Sequence, residues 1–409
     1  MKKNIIIGIL LLSLIGFGIM LFTESAETNP YQEMIDNLND EIAAAGLRWE
    51  AGITSMTLLD PASRYKRYGR LKPLIDDETL DLYEYEPQAV PTSLDWRNKD
   101  GKNWMTPIRN QGNCGSCYIF GPIAAVEAVY KIEKLTADIN PDLSEQHILA
   151  CSGAGNCEDG GYEEDVVIYL KSTGVPPEYC FPYEAEDTDC TPCQNWATRK
   201  ATIQNWKYVT NNREDRTAIF NALQKGPVTG WLEVYSDFDN YKSGIYEKTP
   251  GASYDADHAI SIVGYNKSQG YWICKNSWGR NWGEDGYFRI AFGQVKIGTY
   301  VIMVSGVSIR DKKPVFDPIE NKTVNEGDPL SFIITARDPD NDPIEYSCSN
   351  LPNGASFDQD SRQFNWTPTL EQSGQYPVSF TASDNVLKAT KTVTIIVNDV
   401  SRKIGKGIF

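Results

Sequence analysis

A chain of 409 residues is too long for one ordinary core, so two or three folded units are expected. The composition is that of a globular protein. A net charge of −16 at pH 7, with no basic cluster to offset it, excludes nucleic acid as the expected partner.

Lys2 and Lys3 precede an uncharged apolar run over 5–22, the pattern of a positively charged leader followed by an export segment. Residues 1–26 read as a signal peptide or a membrane anchor. A cut after Ala26 puts Glu24 where a small residue is wanted, and the run is marginally long enough to span a bilayer. The expected location is therefore exported: secreted and extracellular, or held to the membrane by this segment. Residues 27–88 begin charged and helical, with Tyr31, Ile35, Leu38 and Ile42 on one face and Gly46 as a stop. A short amphipathic helix needs another surface to bury that face, although a flexible stalk would also suit the charged composition.

The stretch Asn110-Gln111-Gly112-Asn113-Cys114-Gly115-Ser116-Cys117-Tyr118 follows, and then apolar residues at helical spacing, Ile123, Val126, Tyr130 and Leu135. This places Cys117 at a helix N-terminus, where the dipole and free N–H groups favour a thiolate. By itself Cys114-x-x-Cys117 reads equally as a redox pair or half a zinc site. Far downstream stand Asp257-His258-Ala259 and Lys275-Asn276-Ser277-Trp278-Gly279, and His258 is one of only two histidines in the chain. His258 lies about 140 and Asn276 about 160 residues beyond Cys117, close to the separation of papain-like enzymes, whose local signature Cys114-Gly115-Ser116-Cys117-Tyr118 also fits. The sequence resembles the papain and cathepsin family of cysteine proteases.

The resemblance implies an α+β fold over 89–310, a helical lobe and a β-barrel-like lobe with the cleft between them, after a propeptide at 27–88. In that propeptide, residues 47–74 would lie extended across the cleft. Pro91-Thr92-Ser93-Leu94-Asp95-Trp96-Arg97 resembles the family's mature N-terminus and suggests processing near 86–91. The implied roles are Cys117 as nucleophile, His258 as general base and acid, Asn276 as the group that orients His258, and Gln111 as an oxyanion donor with the Cys117 N–H. Gly160 and Gly161 would let a substrate backbone approach, with Gly161 the safer assignment. Ala256 and Ala259 would line the main specificity pocket and favour an apolar side chain, and Trp278 and Trp282 would form an aromatic shelf over the site. Two departures are Tyr118 for the usual tryptophan and Pro122 inside the helix.

Nine cysteines in an exported chain suggest disulfides and at least one free thiol. The resemblance pairs Cys114 with Cys157 and Cys151 with Cys190 and leaves Cys180 and Cys193 as a third pair. Cys274 and Cys348 are expected to be unpaired.

From about 311 to 400 the composition shifts to Pro, Asp, Asn and Thr between short alternating apolar runs at 330–334, 344–346, 363–366, 376–380 and 391–397. These read as an antiparallel all-β sandwich that resembles immunoglobulin-like and cadherin-like repeats. Residues 401–409 are a tail. Asp338, Asp340 and Asp342 offer hard oxygen ligands for Ca²⁺, and equally compose a solvated turn. No cofactor is required for the expected chemistry.

The expectation is an exported endopeptidase made as a zymogen, acting on polypeptides and inhibited by its own propeptide, with the sandwich tethering it to a cell surface, a polymer or a protein. The alternatives are a catalytically inactive adhesion or binding protein on the same scaffold, and a transglutaminase-type acyl transferase. Intact Cys117, His258, Asn276 and Gln111 argue against the first.

Overall fold

The computed structural model describes residues 29–69, 80–86 and 89–400. Residues 1–28, which include the expected export segment, residues 70–79, residues 87–88 at the expected processing point, and residues 401–409 lie outside the described residues. No helix among the described residues is long and apolar enough to cross a membrane.

The helix Pro30–Ala44 starts where Asn29 accepts the Tyr31 N–H at 3.1 Å and Pro30 presets the first turn. It stops just before Gly46, whose φ of 65° turns the chain away. Ile35 and Ile42 are buried in the core of the β-rich lobe and Leu38 packs against it. Tyr31, expected on that face, instead stays exposed at the overhanging first turn. The strand Arg48–Ala51 then pairs antiparallel with Tyr241–Tyr246 at one edge of a nine-stranded sheet. This close approach depends on Gly244, at φ 100°, where a Cβ would stand 2.5 Å from the Trp49 Cα. Trp49 settles against Tyr246 with ring centroids 5.2 Å apart.

Beyond Tyr241–Tyr246 the sheet runs through Tyr287–Ala291, Tyr271–Lys275, Tyr254–Asn266, Val228–Tyr235, Ile302–Ser305 and Asn205–Tyr208, and Ser93–Asp95 pairs with Tyr254–Asn266. The opposite lobe carries the helices Cys117–Glu133, Glu145–Cys151 and Glu163–Ser172. It is stapled by Cys114–Cys157, Cys151–Cys190 and Cys180–Cys193, the three expected pairs. Cys117, Cys274 and Cys348 are free.

The Cys117–Glu133 helix is buried nearly all round, as expected for a helix packed on every side. It continues through Pro122 to Glu133. Gly121 brings it against the β lobe: a Cβ there would lie 3.0 Å from Thr229 Oγ1 and 3.1 Å from the Ile260 carbonyl oxygen. Ser261 Oγ donates to the Gly121 carbonyl at 2.9 Å, so this helix forms the seam between the lobes.

The C-terminal part is a sandwich. One sheet orders Lys322–Asn325, Lys388–Asn398, Gly374–Ser383 and Glu345–Ser349, and the other Leu330–Ile333, Gln363–Trp366 and Ser356–Asp358. Val324, Tyr346, Phe364, Trp366, Phe380 and Val393 meet in its core. The sandwich is not wholly antiparallel: Lys322–Asn325 runs parallel to Lys388–Asn398, because this short strand enters beside the last strand from the same end. The sandwich is docked on the helical lobe. Asp342 accepts from Arg199 at 2.7 Å and from the Tyr179 hydroxyl, Asn140 N–H donates to the Asn385 carbonyl at 3.0 Å, and Val386 is buried in the helical-lobe core.

Candidate active site

Cys117 is the first residue of the seam helix and is almost fully buried, at 1% exposure. Opposite it, His258 lies on the strand Tyr254–Asn266, which pairs with Val228–Tyr235. Its Nε2 faces Asn276 Oδ1 at 2.7 Å, and an amide oxygen can only accept, so Nε2 carries the proton. Nδ1 is buried without a hydrogen-bond partner and keeps its lone pair free to take a proton. Asn276 Oδ1 also accepts the Ser277 N–H at 2.7 Å, which holds the amide in place. The Trp278 ring lies 4.5 Å from the imidazole, centroid to centroid, and Trp282 meets Trp278 edge-on at 5.0 Å. This is the shelf expected over the site. Behind it, Lys275 Nζ reaches Thr106 Oγ1 at 3.2 Å, and Thr106 donates to the buried Glu127 carboxylate at 2.5 Å, which anchors the strand just before Asn276.

Gln111 is fully buried, and its Oε1 accepts from Ser277 Oγ at 2.6 Å. Its Nε2 donates to the Cys114 carbonyl at 2.8 Å and to the Arg67 carbonyl at 3.0 Å. Tyr183, which no sequence motif singled out, donates to the Gln111 carbonyl at 2.8 Å and bonds Ser116 Oγ at 2.5 Å, bracing the turn before Cys117.

Arg67 belongs to the N-terminal segment, which crosses the site. Gly69 pairs with Asp257 and lies against the Cys117 sulfur. A Cβ on Gly69 would stand 2.7 Å from that sulfur. Just before this crossing, the Tyr68 hydroxyl donates to both oxygens of the buried Asp239, at 2.6 and 2.8 Å, and Arg64 reaches the same carboxylate at 3.5 Å.

Enclosure sets the electrostatics. Burial pushes the Cys117 thiol up to about 12, with the nearby Glu163 carboxylate acting in the same direction. Burial also pulls His258 down to about 4, against the opposing hydrogen bond to Asn276. With the segment in place the thiol and the imidazole are both neutral at pH 7. Asp239 is raised to about 6, again chiefly by burial.

The other expected site residues fall as follows. Gly160 and Gly161 pair with Gly155–Asn156, and a Cβ on Gly161 would meet the Ala154 carbonyl oxygen at 2.4 Å. Ala259 walls a small cavity with Phe120, Gly121 and Ala124, whereas Ala256 packs into the β-lobe core. Asp338 and Asp342 are buried near the sandwich seam, and Asp340 pairs with Lys312 at 2.7 Å. Sequence reading missed Asp239 and Tyr183, whose partners are far away in the chain.

Residues 90–305 match the papain family cysteine proteases, and residues 313–398 match a putative Ig domain. Macrodontain-1 of Ananas macrodontes is 36% identical over 203 residues, covering 49% of this chain and 89% of that protein. Cysteine proteinase 1 of Entamoeba histolytica is 34% identical over 298 residues, covering 69% and 92%. Among solved structures, procathepsin L2 from Tenebrio molitor larval midgut has a TM-score of 0.58 at 26% identity, covering 68% of this chain and 91% of that one. The recombinant stem bromelain precursor has a TM-score of 0.54 at 28% identity, covering 67% and 89%. The chain belongs to the papain family and is a cysteine-type endopeptidase.

Proposed function

We propose that this chain is the precursor of an exported endopeptidase, shut by its own N-terminal segment, with Cys117 as nucleophile. The observation that carries this reading is the path of residues 67–69. The sulfur lies against Gly69, while the Gln111 amide meets the carbonyl of Arg67, two residues away. Nucleophile and oxyanion donor therefore do not converge on one carbonyl group, and the segment occupies the site without offering it a bond to cut.

After the segment leaves, His258 Nδ1 takes the Cys117 proton and the sulfur attacks the substrate carbonyl carbon. The oxygen takes up the negative charge and is met by the Gln111 Nε2–H and the Cys117 N–H. His258 then gives its proton to the departing amine, leaving a thioester. Water, deprotonated by His258, attacks that thioester and releases the acid and the thiol. Asn276 keeps the imidazole turned toward the sulfur throughout, under the cover of Trp278. Three disulfides suit an oxidising compartment and support export. The sandwich tethers the enzyme to a surface, a polymer or a protein. Its seam with the helical lobe uses Tyr179, Arg199 and Asn140 and none of the residues of the site, so a tether there would leave the cleft open to substrate.

The test uses processed protein under mild reduction with a fluorogenic dipeptide and an epoxide inactivator. Hydrolysis and covalent labelling are expected, and Cys117→Ala should abolish both, a loss beyond roughly 10⁴-fold in turnover. Activity that survives the substitution would sink the mechanism. Amine incorporation without hydrolysis would turn the assignment toward acyl transfer.

A further inference from the structure

The strands Val228–Tyr235 and Tyr254–Asn266 present two faces, and their register decides which side chains reach the cleft. Val228, Leu232, Val234, Ala256, Ile260 and Ile262 turn into the β-lobe core, with His258 at the rim of that face beside Trp278. The alternate positions point the other way. There Thr229 pairs with Ser261, Trp231 with Ala259 and Glu233 with Asp257. Thr229 and Ser261 meet Gly121 of the seam helix, about one helical turn beyond Cys117. The next pair, Trp231 and Ala259, stands about 7 Å along the strands and so level with the sulfur. Both are buried, at 6% and 5% exposure, yet neither belongs to an apolar core of the described residues, and so they wall the cleft.

The pair beyond is anionic. Asp257 is 3% exposed, and its bridge to Gly69 places it at the reacting sulfur: the point 2.7 Å from Sγ where a Gly69 Cβ would stand is 3.8 Å from the Asp257 carbonyl oxygen. Glu233 faces Asp257 across the ladder and accepts the Tyr235 hydroxyl at 3.1 Å. Asp255 continues the row at the exposed mouth. Like charges directly opposite on one sheet face destabilise each other, and a phenol hydrogen bond leaves the charge in place. Lys248 approaches through Tyr235, its ammonium 4.9 Å from that ring's centroid, and donates to the Thr249 carbonyl at 3.0 Å. On the opposite wall Glu163 follows Gly161 by two residues; burial raises its carboxyl to about 7, and the Asp257 charge acts in the same direction. The cleft beside Cys117 therefore has an apolar floor and an acidic rim. A side chain that suits both carries a cation at the end of an apolar stem.

We propose, on the catalytic reading above, that Trp231, Ala259, Glu233 and Asp257 form a subsite for a lysine or arginine side chain of the substrate, at the position expected over Ala259, two places before the cut. The stem lies on Trp231 and Ala259, where the indole face also attracts the cation. The head reaches Glu233 and Asp257 about 7 Å along the strands, the span of a four-carbon stem and its charged end. The apolar preference expected from Ala256 and Ala259 is narrowed accordingly: Ala256 turns into the core, and Ala259 shares its pocket with the acidic rim.

The test uses processed enzyme and fluorogenic dipeptides that differ only at the residue two places before the leaving group, carrying arginine, leucine or glutamate. Arginine should exceed leucine in kcat/KM by at least about tenfold, with glutamate the poorest of the three. Glu233→Gln should lower the arginine advantage by about fivefold or more through KM while the leucine substrate is unaffected. Glu233→Asp, which keeps the charge, should retain most of that advantage. Raising the salt from about 0.05 to 1 M should shrink the advantage in the parent enzyme, a readout that needs no variant to fold. Leucine cut as well as arginine would overturn the subsite and leave the catalytic reading standing. An arginine advantage that survives both Glu233→Gln and high salt would overturn it too. Hydrolysis of none of the three would overturn the catalytic reading and the subsite with it.

Discussion

Two parts of this molecule are fastened to the enzyme by the same triplet of side chains, used in opposite senses. At the N-terminal segment, Tyr68 and Arg64 come from the appended part and Asp239 from the β lobe. At the sandwich, Tyr179 and Arg199 come from the helical lobe and Asp342 from the appended part. The first clamp accompanies a segment that crosses Cys117 and, on the proposed mechanism, has to leave. The second lies at a seam that uses none of the cleft residues, among further buried carboxylates. A buried aspartate that receives a phenol and a guanidinium is therefore a general fastening here. Whether it is temporary or lasting depends on what else the fastened piece touches.

The largest expected difference lies at the sulfur. In the full chain Cys117 is held near 12 and His258 near 4, so both are neutral between those limits. Alkylation of the full chain should rise about tenfold per pH unit from 5 to 9, following a scarce thiolate, whereas the processed enzyme should be nearly flat. At pH 7 the rate difference should reach about 10⁴-fold or more. A flat profile in the full chain would show that the segment does not suppress the thiolate.

The sandwich clamp comes next. Arg199→Leu leaves the buried Asp342 carboxylate, 2% exposed at its side chain, without its cation and with only the Tyr179 hydroxyl, and should cost about 3–5 kcal/mol in the unfolding of the docked unit while hydrolysis by processed enzyme is unchanged. Calorimetric unfolding measures it. Gln111→Ala should lower the turnover of processed enzyme about 10²-fold with little change in KM, because its donor acts on the developing oxyanion. The smallest effect belongs to Tyr68→Phe. It leaves Asp239 with Arg64 as its side-chain partner among the described residues and should weaken segment docking by about 1–3 kcal/mol. Epoxide labelling of the unprocessed chain would then run faster than in the parent; equal labelling would show that the clamp carries no docking energy.

The residues proposed for catalysis were legible because their chemistry is written in short contiguous runs, Gln111 to Cys117 and Lys275 to Gly279, and because a helix N-terminus is a local feature. The first helix was legible from Ile35, Leu38 and Ile42 for the same reason. The clamps were not. Tyr68 and Asp239 are 171 residues apart, and nothing local distinguishes Asp239 from an ordinary acidic turn residue. The parallel pairing of Lys322–Asn325 escaped notice because four residues with one buried side chain carry almost no alternation. Ser277 was visible as part of a motif, but its hydroxyl bond to Gln111 appears only when the two lobes meet.

Gly69 carries a consequence for the timing of activity. With the sulfur 2.7 Å from where a Cβ would be, the segment lies over the nucleophile with less clearance than one methyl group. On the proposed reading, the seating of the segment over Cys117 depends on residue 69 having no side chain. A single added methyl at residue 69 would turn a silent precursor into a leaky one without altering any group that performs the reaction.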